Sequence, residues 1–596
     1  MNGSTSPAAA IPPAERRPRV WPGVIIVALV WAALKLPNLL ELEPQIAMKI
    51  VFNGVFFLPI AFLVWWLLFS RVSWTERLFG LVACAGVGFA AFTQFHYSFR
   101  GKDPSDLMMS LMFNILPVVM TTWVVWLVVA RWASRPVRIA GLLAVFVATW
   151  AFFVTVRFEG TTGAFQPQFS FRWTPTDEEK AIAQHAAVVQ PANAAAEVTA
   201  ARLEAQPGDW PGFRGPNRDG VVRGVDIDTT SSPTEVWRRR VGPGWSSVIV
   251  VGDSLFTQEQ RGAHEAVVCY ATLTGDETWC HADDIRFSEE TAGTGPRATP
   301  CFDKGKIFAV GCTGVLNCLD ADTGERVWTH DLAAEFGAEL PHWGFTSSPL
   351  VVGDLVVVFA GGRSTRNLLA YRTGTGELAW AAAAGETSYA SPQVAKIDDQ
   401  AEVLMMTNHG LTGVEPTTGK VLWDVDLHVP PSAPRSISPL PVSTTAILVG
   451  SEGDFGVKLI DVKRVGKTSE ASARWTSKAL KPAFNDPVVA DGNIYGFDGR
   501  IFACVDLETG TRRWKEGRYG EGQVVLLADQ SVLLVVSESG EVILLSANPG
   551  RHEKLGHFQA LHGKSWSHPA LVGRKLYLRN AEEMVCYEFR SPVPVK

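Results

Sequence analysis

The stretch Leu316–Trp328, "LNCLDADTGERVW", decides how the second half of this chain is read. An apolar run ends in a Thr-Gly turn, and a tryptophan stands four residues after the glycine. Glycine supplies the positive φ that a tight strand-to-strand turn requires. The spacing recurs in "TGDETW" to Trp279, "TGELAW" to Trp380, "TGKVLW" to Trp423 and "TGTRRW" to Trp514. Trp237 precedes the series, and Trp475 belongs to it with a degenerate turn. From Trp237 onward the intervals are 42, 49, 52, 43, 52 and 39 residues, and Phe558 stands 44 residues beyond Trp514.

Each unit also opens alike, as in "WSSVIVVGDSLF", "FTSSPLVVGDLVVV", "FNDPVVADGNIYG" and "SHPALVGRKLYL", four of eight such openings. This period, with four short strands per unit, predicts an all-β eight-bladed propeller over residues 234–596. The eighth unit has no outer strand of its own after "MVCYEF". The strand "TEVWRRRV" around Trp237 lies ahead of the first unit and completes the eighth, which closes the ring and removes a free edge. The repeated tryptophans are expected on outer strands, covering the gaps between blades.

Ahead of the propeller, "DWPGFRGPNRDGVV" (Asp209–Val222) has neither the lysine nor the following helix of a phosphate loop. Residues 209–233 are therefore predicted to form an irregular cap. In it Trp210 and Phe213 pack on the barrel end while proline and glycine set turns. Residues 158–208 are polar and alanine-rich, and are predicted to be a stalk interrupted at Pro191.

The chain's start is different in kind. Apolar runs at about 20–40, 48–70, 78–96, 111–130 and 137–156 each approach the roughly 20 residues that cross a hydrocarbon core. They predict a five-helix membrane domain over 20–157, after a cytoplasmic tail of residues 1–19. The third run is rich in glycine and alanine, which suits close helix packing. One set of loops holds Arg16, Arg17, Arg19, Arg71, Arg77, Arg131, Arg135 and Arg138; the other holds Lys49, Arg100, Lys102 and Arg157. Eight against four puts the N-terminus in the cytoplasm and the propeller in the periplasm, with the lipid bilayer as the first partner. Lys35, Gln94 and His96 fall near the outer face. They suit either interface anchoring or a membrane quinone headgroup.

The net charge is −6 over 596 residues, which argues against a nucleic-acid partner. Eight cysteines with no C-x-x-C leave the redox compartment open, and leave open whether Cys301, Cys312 and Cys318 form a disulfide. "VGKTS" (Val465–Ser469) lacks the first glycine of a nucleotide loop, and "DADTG" at Asp320 recurs as a blade turn.

In a propeller the first residues of the inner strands gather at one mouth. Here they are Trp245 and Ser246, Arg297 and Thr299, Trp343 and Thr346, Tyr389, Arg435 and Ser436, Asn485 and Asp486, Glu521 and Gln523, and Trp566 with His568. Rings stack on tryptophan and carboxylates pair bidentately with arginine, so the set suits a flat anionic ligand. Asn485 and Asp486 offer oxygens of the kind calcium takes. Any propeller mouth also gathers polar residues, because strand ends need hydrogen-bond partners.

The repeat L-x-C-L-D-A-x-T-G-E-x-x-W resembles that of pyrroloquinoline-quinone (PQQ) type propellers, and the "W-P-x-F-R-G-P-N-R-D-G" stretch resembles the segment preceding many of them. The likeness covers about residues 208–590. It implies the fold, and two kinds of function. One is a binding or assembly module for a periplasmic or envelope protein, without a cofactor. The other is a PQQ- and calcium-dependent dehydrogenase of alcohols or sugars that passes electrons to membrane quinone. The second would use Asp486 as base, Asn485 and Asp486 at calcium, and Trp245, Arg297, Trp343, Arg435, Trp566 and His568 around the cofactor. Five helices before a periplasmic propeller resemble the layout of membrane-bound glucose dehydrogenase. The missing adjacent-cysteine pair and the short connections depart from the quinoprotein alcohol dehydrogenases.

Overall fold

The computed structural model describes residues 18–40, 44–100, 108–161, 167–188, 202–289, 291–363, 366–465 and 468–592. Expectations resting on Arg16, Arg17, Lys102, Pro191 and the Gly466–Lys467 pair lie outside the described residues. The chain divides into two units, Met1–Thr174 and Pro175–Lys596.

In the first unit, helices Met48–Phe69, Trp74–Phe92, Met108–Trp132 and Arg135–Thr155 are long and apolar enough to cross a membrane. The remaining run, 20–40, forms the helix Trp21–Leu39, whose apolar part is shorter and ends at Pro37. Tryptophan packing explains two of the three glycines of the third run, Gly80 and Gly88. A side chain on Gly80 would strike Trp66 and Trp123, and one on Gly88 would strike Trp150. Trp123 sits edge-on to Trp66 at 4.9 Å and to Phe146 at 4.7 Å. A buried ion pair, Arg138 to Glu76 at 2.9 Å, ties the start of one helix to the start of another. The hairpin Val156–Thr161 with Pro167–Phe171 ends this unit and takes up the first part of the predicted stalk.

The next part of that stalk is a helix of the second unit, Asp177–Val188. Thr176 and Glu179 cap it reciprocally, each side chain accepting the other's backbone N–H at 2.9 and 2.7 Å. Glu178 holds the helix against blade 1, accepting the Gly262 N–H at 2.6 Å and pairing with Arg286 at 2.8 Å.

Eight antiparallel sheets follow, each of four strands, with a short fifth strand added to one of them. Their inner strands are Ile249–Val251, Cys301–Asp303, Leu350–Val352, Gln393–Ile397, Leu440–Pro441, Val488–Ala490, Gln523–Leu527 and Ala570–Val572, called blades 1 to 8 here. Blade 8 takes its outer strand from Thr234–Arg240, which pairs antiparallel with Glu583–Glu588 and places Trp237 opposite Cys586. The sequence-predicted closure is therefore the one the fold uses. Apolar clusters lie between consecutive sheets, such as Val356, Val358, Phe308 and Leu316 between blades 2 and 3.

The Thr-Gly-x-x-x-Trp repeat works between blades. Each indole reaches the turn of the next sheet: Trp279 donates to the Ala321 carbonyl at 3.0 Å, Trp380 to Pro416 at 2.8 Å and Trp475 to Leu507 at 3.0 Å. Beneath these rings lies that next turn's glycine, with φ near +70° and no room for a Cβ: Gly324 under Trp279, Gly419 under Trp380, Gly510 under Trp475. Trp237 closes the series on Gly275 and the Thr272 carbonyl of blade 1. Trp423 and Trp514 are the exceptions. Trp514 donates to the Asn548 carbonyl of blade 7 at 2.9 Å, but Gly550 of that turn does not lie beneath its ring. Blade 5 replaces the Thr-Gly turn by a long hairpin, Gly456–Val465 with Thr468–Ser477, and the Trp423 indole donates to Glu402 of its own blade at 2.6 Å.

Trp237→Ala is expected to cost about 3–5 kcal/mol by removing a large buried side chain at the closure. Thermal unfolding should show a much larger loss for it than for Val236→Ala, whose side chain is exposed.

Candidate functional site

One position in each blade, two residues before the inner strand in most, builds a ring around the propeller axis. The backbone N–H of Ser247 donates to Thr299 Oγ1 (3.0 Å), that of Thr299 to Ser348 Oγ (2.9 Å), and that of Ser348 to Ser391 Oγ (2.9 Å). Ser391 N–H then donates to Ser438 Oγ (3.3 Å), and Ser438 N–H to Asp486 Oδ1 (2.8 Å). Gln523 bridges the next gap, its Nε2 reaching the Phe484 and Trp566 carbonyls, and His568 N–H returns to Ser247 Oγ at 2.8 Å. Proline follows the ring residue in six blades. Its missing N–H leaves no unpaired donor facing the axis.

The cap segment fills this ring from the inner-strand turn end. Trp210 exchanges backbone bonds with Val250 in blade 1 at 2.8 and 2.9 Å, and the Pro211 carbonyl accepts from Phe302 in blade 2 at 2.8 Å. Arg218 donates to the Ser348 and Pro349 carbonyls in blade 3, and Gln393 of blade 4 donates to the Asn217 and Arg218 carbonyls. Arg214 donates to the Pro487 carbonyl in blade 6 at 2.7 Å and lies 3.8 Å from Asp486. The Gly220 carbonyl accepts from Leu526 in blade 7, and Phe213 stands edge-on to His568 of blade 8 at 5.9 Å. Seven blades are keyed to one short irregular stretch. Arg214 and Arg218 both hold left-handed backbones, φ +62° and +54°, which the surrounding bonds fix. Burial pushes the Asp486 carboxyl up from its usual pKa while Arg214 and Arg218 pull it back, and burial drives His568 down to about 3, so its ring is neutral.

The opposite end is the mouth. Phe484, Trp566 and Trp245 form a run of rings 5.2 and 4.9 Å apart, and Trp343 pairs with Tyr389 at 4.9 Å. Lys564 Nζ lies 4.2 Å from the Trp566 ring centre and 5.0 Å from that of Trp245, a cation–π arrangement. Trp245 donates to the Ala292 carbonyl of a small hairpin, Ser288–Glu289 with Gly293–Thr294, whose Glu289 pairs with Arg297 at 2.9 Å. Glu538 accepts from the Trp566 indole and pairs with Arg500, each at 3.2 Å. Asn485 Nδ2 donates to Glu521 at 3.3 Å. Burial, then the like charges of Glu452 and Glu538, raise Glu521 to about 8, and burial lowers Lys564 to about 8.

Of the sequence-predicted residues, Trp245, Arg297, Trp343, Arg435 and Trp566 stand at this mouth. Asp486 and His568 lie one step deeper, on the ring against the cap segment. Phe484, Glu452, Glu538 and Lys564 were not among the expected residues. Phe484 is readable in sequence as the residue two places before the ring position, where Trp245, Tyr389 and Trp566 also stand. Glu452 and Glu538 come from turns between second and third strands, which carry no repeated residue. Lys35 and Gln94 are exposed, and His96 bonds Ser98 Oγ at 2.9 Å; no bond among the described residues joins the three. Cys301, Cys312 and Cys318 are free thiols.

Asn485, Asp486 and Arg297 are not free to hold calcium and PQQ. Asn485 Oδ1 already accepts the Ala483 N–H at 3.0 Å, Asp486 serves Ser438 and faces Arg214, and the Arg297 guanidinium is matched by Glu289. Among the described residues no three His, Cys, Asp or Glu side chains converge as ion ligands. Asp486, buried under the cap segment, is in no position to take a proton from a substrate at the mouth.

A family model described as outer membrane protein assembly factor BamB matches residues 218–516, which are 299 of the 596 residues. The outer membrane protein assembly factor BamB of Yersinia pestis is 24% identical over 329 residues, covering 52% of this chain and 80% of that protein. Among solved structures, BamB from Moraxella catarrhalis superposes with a TM-score of 0.45 at 16% identity, over 61% of this chain and all of that one. A quinohemoprotein alcohol dehydrogenase from Pseudomonas putida gives 0.47 at 14% identity, over 66% of this chain and 82% of that one.

Because the folded state holds Glu521 protonated, its contribution to stability is full below pH 4.5 and is lost as pH rises toward 8. Glu521→Gln should remove this loss and gain about 4 kcal/mol on wild type between pH 5 and pH 8.5. Denaturant unfolding at the two pH values checks it; parallel curves for the two proteins would contradict it.

Proposed function

Because the chain belongs to the family described as outer membrane protein assembly factor BamB, we propose that its propeller is a binding and assembly module for an envelope protein. The mouth is the binding face. The observation that carries this reading is the asymmetry of the channel. At one end Arg214 and Arg218 of the cap segment take inward-facing backbone carbonyls of the ring; at the other, half-buried Phe484, Trp566, Trp343 and Tyr389 stand open among fixed charges. Aromatic anchors within a rim of arginine, lysine and glutamate are the composition of protein-binding surfaces.

The N-terminal unit anchors the module in the cytoplasmic membrane with the N-terminus inside. Four helices of spanning length, the apolar Trp21–Leu39 helix and the eight-to-four distribution of basic residues support this orientation. Five crossings deliver the propeller to the periplasm.

Two outcomes follow. A photo-crosslinking residue at Phe484 or Trp566 should give an adduct with an envelope protein in cells, and the same residue at Val327 on an outer strand should not. Adducts from Val327 alone would place the partner elsewhere. A cysteine at exposed Leu273 should react with a membrane-impermeant maleimide once the outer membrane is opened; labelling only after lysis would reverse the topology.

A further inference from the structure

Arg435 is the exception among the buried arginines of the propeller. Arg579 donates to Thr257 and to the carbonyls of Gln258, Gly242, Gly244 and Asn580; Arg218 has two carbonyls; Arg297 has Glu289. Arg435 is 9% exposed and makes one side-chain bond, from Nη1 to the Pro431 carbonyl at a long 3.3 Å. Its buried Nε has no acceptor among the described residues, and no carboxylate pairs with the guanidinium there. Tyr389 is the ionisable neighbour that acts on it.

The backbone is also held in an uncommon state. Arg435 has φ +52°, which strains a non-glycine residue. Its N–H donates to Ser451 Oγ at 3.4 Å, and its carbonyl accepts the Tyr389 N–H at 3.1 Å and the Ser388 hydroxyl at 3.4 Å. The fold thus fixes the backbone in place and leaves its charge uncompensated. A buried ion without a partner costs several kcal/mol.

We infer that Arg435 and the adjoining Trp343–Tyr389 pair form a pocket for a single carboxylate flanked by an aromatic group on the partner polypeptide. The inference rests on the mouth being the partner-binding face. With Nη1 anchored and Nε buried, Nη2 is the guanidinium donor that remains for a carboxylate oxygen. Trp343 and Tyr389, rings 4.9 Å apart, supply an apolar wall beside it. The wider mouth carries Glu289, Glu452 and Glu538, so a multiply charged anion would meet repulsion that a lone carboxylate avoids.

The test uses the full chain in detergent, with three probes at constant ionic strength: N-acetyl-phenylalanine, its amide, and the amidated dipeptide N-acetyl-Phe-Asp-amide. Thermal midpoint and ligand-observed NMR are read together. At tens of millimolar, N-acetyl-phenylalanine or the dipeptide should raise the midpoint by at least ~1 °C while the amide does not. A response to the first alone identifies a chain terminus, and to the second alone a side-chain carboxylate. Arg435→Met should abolish the response and unfold no earlier than wild type, because it removes an unpaired buried charge with little change of shape. Equal shifts by acid and amide, no shift by any probe, or a shift that survives in Arg435→Met would overturn the inference. Photo-crosslinking from Trp566 in the Arg435→Met protein separates the two levels: an adduct retained there, with no carboxylate selectivity in the wild-type protein, sinks this pocket and leaves the mouth as the binding face.

Discussion

The structure depends on how eight sheets finish at their common axis. Inner strands bring backbone N–H and carbonyl groups together where water has little room, and an unpaired buried polar group costs on the order of 1–3 kcal/mol. Two devices meet this cost. A ring of side-chain oxygens, with Asp486 in one place and Gln523 bridging another, takes one N–H per blade around most of the circle. Arg214 and Arg218 then take the carbonyls that still face inward. Asp486 belongs to both, accepting from Ser438 and facing Arg214. Its charge is structural, and this is why the most reactive-looking carboxylate in the sequence is not at the mouth.

At the outside a second constraint repeats. Five of the outer-strand tryptophans, Trp237, Trp279, Trp328, Trp380 and Trp475, need the next blade to lack a Cβ at its turn, and each of those turns needs a residue that accepts φ near +70°. Glycine answers both demands. The motif that looks like one unit in sequence is therefore half of two adjacent interfaces. Trp423 shows the dependence from the other side, because without a facing Thr-Gly turn its indole turns to Glu402.

These constraints explain what was legible in the sequence. The Thr-Gly-x-x-x-Trp spacing and the repeated openings define eight blades, and the orphan strand around Trp237 defines the closure, because each is a local pattern with one geometric solution. The cap segment was legible as irregular and structural from its prolines and glycines. Its depth was not, since nothing in "GPNRDG" says which blades Arg214 and Arg218 will reach. The mouth was half legible. A two-residue step along an inner strand separates Phe484 from Asp486 and Trp566 from His568, and that step decides whether a side chain faces a partner or the cap. Glu452, Glu538 and Lys564 come from turns and loops that share no repeat, so only the folded chain brings them to Glu521 and Trp566. The polar run after residue 174 reads as linker, yet Glu178 and Arg286 dock part of it on blade 1.

The central claim is that one short cap segment holds the ring of blades together from within, leaving the mouth as the free end. Hydrogen exchange on the full chain with Arg214→Lys tests it most directly, because lysine keeps the charge near Asp486 but cannot reach several acceptors at once. The account predicts faster exchange at the ring amides of blades on opposite sides, Ser348 and Ser391 as well as Ser438 and His568, with the outer strands unchanged. Faster exchange confined to the Pro487 neighbourhood of blade 6 would contradict it.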